Sequence, residues 1–324
     1  VAPATPPSGK LAQGPVSGAT IFADRIGGGT RFVWDIDEVK APSDASGNYR
    51  LPTVPTYNYV LVSKGGTDTL TGLPAIQMLA PAGSINITPL TTLIALDSTN
   101  TLYLKLQKLQ PTIAPLDFDI STSATPATLL LVKSVETAVQ SISSAVIAGG
   151  FTISDQQLAD IQFQAFQRIA LGFAATTEKL ETPAGLKIAL TAGVSAAITA
   201  INAASNIEIN PAAAASIADN AVTSASNLST VFSASTMSVS SIQIENTLAT
   251  PAVFASTFAA AFSASNPTYA AIVSFTTTSG NTPSPYGPAD LVIAITPLPP
   301  GVLTGSVGTG GSGGGTGIGT KPVL

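Results

Sequence analysis

The spacing of apolar residues changes period twice along this chain. Before Thr88 the apolar runs are short, rich in β-branched and aromatic residues, and set between turn residues, which predicts strands. Pro15-Val16-Ser17-Gly18-Ala19-Thr20-Ile21-Phe22 reads as a turn running into a strand. Phe32-Val33-Trp34 is a short apolar run. Asp44-Ala45-Ser46-Gly47-Asn48 is a turn cluster before Tyr49-Arg50-Leu51. Tyr57-Asn58-Tyr59-Val60-Leu61-Val62 is the strongest strand, and Lys64-Gly65-Gly66-Thr67-Asp68 follows it as a loop. Together these runs predict a small antiparallel β-sandwich.

At Thr88-Pro89-Leu90-Thr91-Thr92-Leu93 the period becomes helical, with Thr88 placed to cap and Pro89 suited to the first turn. Apolar character continues through Leu96, Leu102, Leu106 and Leu109, with a break near Asn100. Leu129, Val132, Val135, Val139, Ile142 and Val146 recur every three or four residues, an amphipathic helix that Gly149-Gly150 ends. Ser154-Asp155-Gln156-Gln157 is a capping box leading into Leu158, Ile161, Phe166, Ile169 and Phe173. Thr182-Pro183 opens a helix through Leu186, Leu190, Val194, Ile198 and Ile201, and Asn210-Pro211 opens another through Ile217, Ala221 and Leu228. About five helices are expected between 88 and 228.

After Asn227 the alternation returns to period two, from Val231 to Glu245. Two further apolar runs, at 269–275 and 290–295, also read as strands, and from Gly301 the chain is a Gly/Ser/Thr tail. The expected architecture is therefore α+β. It runs as an extended, polyproline-like leader at 1–8, a β-sandwich at 9–87, a helical domain at 88–229, a β-rich segment at 230–300 and a tail at 301–324.

Composition sharpens what this chain can do. It has no histidine and no cysteine, and only 10% of its 324 residues are charged. Histidine is the usual general base near neutral pH and a common metal ligand. Cysteine supplies nucleophiles and disulfides. The expectation is a structural protein and not an enzyme. The net charge of -5 provides no basic field for phosphates, which sets nucleic acid aside as a partner. No run of 18 or more apolar residues occurs, so no transmembrane segment is expected. Val1-Ala2-Pro3 opens the chain with neither an initiator Met nor a signal segment, as in a mature protein whose targeting segment has been removed. A mean hydropathy of +0.39 fits either a large core or a surface buried against copies of the same chain.

Gly14-Pro15-Val16-Ser17-Gly18-Ala19-Thr20-Ile21-Phe22, followed by Asp44-Ala45-Ser46-Gly47-Asn48-Tyr49, resembles the carboxypeptidase-regulatory-like, or prealbumin-like, β-sandwich domains of bacterial surface proteins and lipoproteins. The B-type domains of serine-aspartate-repeat adhesins are similar. Gly65-Gly66-Thr67-Asp68 and Thr88-Pro89-Leu90-Thr91-Thr92-Leu93 extend the likeness over the first third of the chain. The resemblance implies a calcium set drawn from Asp24, Asp35, Asp37, Glu38 and Asp44, since carboxylate oxygens suit that ion. The chain departs from the pattern at Ile26-Gly27-Gly28-Gly29, where the family has Asn or Asp, and a solvated acidic loop is the other reading.

Other motifs are weaker. Gly310-Gly311-Ser312-Gly313-Gly314 matches a nucleophile elbow in form, but the elbow needs a histidine. Trp34, Tyr57 and Tyr59 read as a sugar-stacking platform or as packing residues. Asn86-Ile87-Thr88 and Asn227-Leu228-Ser229 are glycosylation sequons. The two low-complexity ends suit strand addition between identical subunits. The expected function is an extracellular, self-assembling subunit of a cell-surface filament or layer, with copies of itself as partner. The alternative is a monomeric adhesin that binds surface glycans.

Overall fold

The computed structural model describes residues 5–234, apart from 70–73, 98, 100, 110, 112–113, 120–124, 149–153 and 205–206, together with 275–277. Eight short strands come first: β1 (Ser8–Lys10), β2 (Val16–Ser17), β3 (Thr20–Arg25), β4 (Lys40–Pro42), β5 (Asn48–Arg50), β6 (Tyr59–Lys64), β7 (Thr67–Asp68) and β8 (Met78–Pro81). Six helices follow among the described residues: α1 (Pro89–Leu96), α2 (Leu102–Leu109), α3 (Pro126–Ala148), α4 (Asp155–Ala175), α5 (Pro183–Ala204) and α6 (Ala213–Ala234). Strand β9 (Ile207–Ile209) pairs antiparallel with β10 (Phe275–Thr277). The class is α+β, as the change of period implies.

The strands form antiparallel sheets. The largest has the order β4-β3-β6-β8, with Phe22 opposite Val62 and Val62 opposite Leu79. Two-stranded pairs β1-β5 and β2-β7 accompany it. Gly65 and Gly66 take positive φ between β6 and β7, a conformation that a side chain would strain. The expected loop at 64–68 thus holds a turn and the short strand β7. Strand β6 starts at Tyr59, two residues later than the apolar run, and Phe32-Val33-Trp34 lies in the long β3–β4 loop.

Strand β8 lies at a sheet edge, where bare backbone groups are costly when buried. Helix α1 solves this. The Leu79 amide donates to Thr92 Oγ1 at 2.9 Å, and the Leu79 carbonyl accepts from the hydroxyls of Thr91 and Thr92. Thr88 and Thr91 close a capping box at the same place. All eight residues of α1 are buried, so this helix is the layer between the sheets and the bundle.

Helices α3 to α6 pack in a ring, α3 on α4, α4 on α5, α5 on α6 and α6 on α3. Short connections make sequential neighbours antiparallel, which is the arrangement of a four-helix bundle. At the α4–α5 crossing Gly172 faces Gly193. A Cβ on Gly193 would lie 2.7 Å from Ile169 Cα, so only glycine lets the two backbones approach. Among the described residues α5 alone is long and apolar enough to cross a membrane by length and composition, but half of that span is buried in the bundle. Its exposed residues include Ala184, Lys187, Ile188, Ala192, Ala196, Thr199 and Ala203.

Two sequence expectations need correction. Helix α6 runs to Ala234, past the expected switch to strands at 230, because Ala, Ser and Thr carry little periodicity of their own. The leader also ends sooner than expected: Ser8 is already in β1, and the Pro7 carbonyl accepts from the Leu51 amide. The apolar core is one cluster running from Leu11 through α1 to Ala225, so position 88 marks a change of period but no break in the core. The expected strands at 235–245 and 290–295, and the tail at 301–324, lie outside the described residues. Of the expected strand at 269–275 only Phe275 is described, and it opens β10.

Candidate functional site

The first strand, β1, has backbone partners on both of its sides. On one side β1 pairs with β5, with Gly9 opposite Tyr49. On the other side it meets the segment leading into α1. The Lys10 amide donates to Asn86 Oδ1 at 3.0 Å, the Ile87 amide donates to the Lys10 carbonyl, and the Ala12 amide donates to the Ile87 carbonyl. The Asn86 side chain also donates to the carbonyls of Asp117 and Phe118, so it ties three segments together. A Cβ on Gly9 would fall 1.5 Å from the Ile85 carbonyl oxygen, which leaves no room for any side chain. The slot therefore accepts an extended strand with glycine at one position. Asn86 is 6% exposed, and this burial keeps the first sequon out of reach in the folded chain. Asn227 of the second sequon lies in α6.

The acidic residues of the β3–β4 region separate into three groups. Asp24 Oδ2 accepts from the Phe32 amide at 3.1 Å, and its carboxyl is pushed up to about 7, first by burial and then by the nearby charges of Glu38 and Asp35, against the pull of the Phe32 amide and Arg31. Glu38 and Asp35 are spent on the loop backbone. Glu38 accepts from the Arg25 and Asp35 amides, and Asp35 accepts from the Thr30 amide. Asp37 instead pairs with Arg25 at 2.7 Å, at the surface. Asp44 is elsewhere, in the turn before β5. It accepts from the Ser46 and Asn48 amides and the Asn48 side chain, and these bonds, those of Asn48 first, hold its carboxyl below the ordinary range. Among the described residues no group of three or more carboxylates is placed to hold a metal ion. The five calcium candidates are thus divided between a buried acid, two loop-fixing acids, a surface ion pair and a turn.

The aromatic candidates are engaged as well. Lys40 Nζ stands 3.2 Å from the centre of the Trp34 ring, and the Trp34 indole donates to the Glu38 carbonyl. Arg25 covers the Tyr57 ring at 4.4 Å, and the Tyr57 hydroxyl donates to the Ala23 carbonyl. Tyr57 and Tyr59 meet edge to face, with centroids 6.5 Å apart. These contacts anchor the β3–β4 loop on the sheet. Phe32 completes the anchor at the bundle side: its φ is +60°, and its ring lies 4.5 Å from that of Phe163 on α4.

A third cluster was not singled out by the sequence reading. Lys133 of α3 is fully buried. Its Nζ lies 2.8 Å from Glu136 Oε2 and 3.9 Å from Asp68 Oδ2 of β7. Asp68 is fully buried too, and Glu136 is 1% exposed. Burial pushes the Glu136 carboxyl up to about 7, opposed by Lys133. The signal for it in the sequence was Lys133 and Glu136 at i, i+3 inside an otherwise uncharged helix. Nothing in the sequence pointed to Asp68 as their partner.

No protein-family model, curated protein or solved structure matches this chain.

Proposed function

We propose that this chain is an extracellular structural protein, a self-assembling subunit of a surface filament or layer whose copies join by strand addition. The slot around β1 carries the reading. It is bounded by backbone on both sides and holds its strand mainly through main-chain hydrogen bonds, the chemistry of strand addition. Every copy carries both the slot and the glycine-bearing strand that fits it. A copy that places its β1 in its neighbour's slot makes a head-to-tail contact, which grows a filament where the rotation does not close. In this reading the antiparallel sheets form a β-sandwich receptacle and the helical bundle a rigid spacer. The absence of histidine and the 10% charged content suit a protein that is built and not reactive. The glycan-binding alternative has less support, since one face of Trp34 and one of Tyr57 are already covered by Lys40 and Arg25.

The test is negative-stain electron microscopy with light scattering on the purified full chain and on Gly9→Ala. Regular fibres or sheets from the wild type, and dispersed particles from a folded Gly9→Ala, are expected. Uniform monomers of the wild type at high concentration overturn the assembly reading. Equal polymerisation of both proteins overturns the use of this slot.

A further inference from the structure

A lysine amine, an aspartate carboxyl and a glutamate carboxyl meet in a water-excluded site between β7 and α3. We propose that Lys133 and Asp68 condense there into an intramolecular amide, with Glu136 moving the protons, so that the sheet region and the bundle become covalently joined. This inference is independent of whether the chain polymerises.

The physical case begins with charge. Lys133, Asp68 and Glu136 are all buried, and taking ions out of water is costly even when they are paired. Condensation removes one charge of each sign. It leaves Glu136 alone, and burial has already moved that carboxyl to where it is readily protonated near neutral pH. Proximity supplies the rate. Both partners are held by the fold, Asp68 by the pairing of β7 with β2 at Val16 and Lys133 by α3, so the encounter is intramolecular. Lys133 Nζ starts 3.9 Å from the Asp68 carboxyl oxygen and within hydrogen-bond reach of Glu136.

The reaction balances without an outside reagent. The Glu136 carboxylate takes one proton from the Lys133 ammonium and delivers it to the Asp68 carboxylate. The neutral Nζ then attacks Asp68 Cγ, and the C–N bond forms. Glu136 removes a second proton from nitrogen and passes it to the departing hydroxyl as the C–O bond breaks. One water leaves, and Glu136 returns to its starting state. General acid–base work of this kind asks for a carboxyl that titrates near the working pH, within hydrogen-bond reach of the proton it moves. The chain contains no cysteine, so no disulfide can perform this stapling.

The experiment is intact-mass spectrometry of the folded full chain after denaturation, followed by protease digestion and fragment sequencing. The wild type should be lighter than its sequence by one water, with the peptides bearing Asp68 and Lys133 joined. Lys133→Arg and Glu136→Gln should each show full sequence mass. Asp68→Asn should lose one ammonia in place of water, a signature that a purely structural ion cluster does not give. Full sequence mass in the folded wild type overturns the proposal even where the variants fail to fold. Persistence of the water loss in Lys133→Arg overturns it as well.

Discussion

Asp24 illustrates how a residue chosen for one chemistry serves another. Its type suits a cation ligand, yet it is 2% exposed, one oxygen holds the Phe32 amide, and the other has no hydrogen-bond partner among the described residues. Such a carboxyl is easier to bury neutral than charged. Its folded pKa, about 7, stands above the unfolded value, so its contribution to stability is complete below pH 4 or so and is lost as pH rises through about 7. Glu136 and Asp160 are raised by burial in the same way, to about 7 and about 6, so stability should fall between mildly acid and neutral pH. Asp24→Asn should remove part of that fall, roughly 1–3 kcal/mol at neutral pH. Urea midpoints of both proteins between pH 4 and pH 8 check this, and parallel curves would show that Asp24 is not a source of the slope. The acidic cluster was legible as a cluster, but the division of its members among backbone amides, Arg25 and the Asp44 turn was not, because those partners are set by loop conformation.

At the scale of elements, the helices were the most legible part. Thr88, Ser154 and Thr182-Pro183 open α1, α4 and α5 where capping chemistry predicts, because caps act locally on the orphan amides of the first turn. The break near Asn100 likewise separates α1 from α2, with Asp97 accepting the Leu102 amide at the start of α2. Lys105 caps a different helix, donating to the carbonyls of Phe173, Ala174 and Thr176 at the end of α4. No sequence spacing shows that contact. The α4–α5 crossing gives an element-scale prediction. Gly193→Ala gains helix propensity of about 1 kcal/mol. It also drives a methyl group into the Ile169 backbone, and overpacking costs about 1–3 kcal/mol. The clash involves backbone and not a movable side-chain tip, so the variant should be less stable by about 1–2 kcal/mol. A raised denaturation midpoint would mean that the crossing opens without strain.

The whole molecule is organised by α1, which is buried along its full length and touches β8, α3 and α4. One continuous apolar cluster, the Gln77 amide bonded to Gln162 of α4 and the Phe32–Phe163 contact bind sheets and bundle together. The two regions should therefore unfold in one transition, with far-ultraviolet dichroism and tyrosine-tryptophan fluorescence coinciding. Trp34, Tyr49, Tyr57 and Tyr59 lie in the sheet region while the helices lie beyond it, so two separated midpoints would reveal independent units.

By itself the sequence determined the α+β class, the places where helices begin, the deficit of reactive side chains and the presence of an acidic loop. All of these depend on interactions within a few residues or on composition alone. Only the tertiary structure decided that β1 threads a slot with no space beside Gly9, that the Leu79 edge is closed by threonine hydroxyls, and that Asp68 meets Lys133 and Glu136. Those outcomes join residues far apart in the chain, and their partners are chosen by how sheets and helices stack around a common core, which periodicity does not encode.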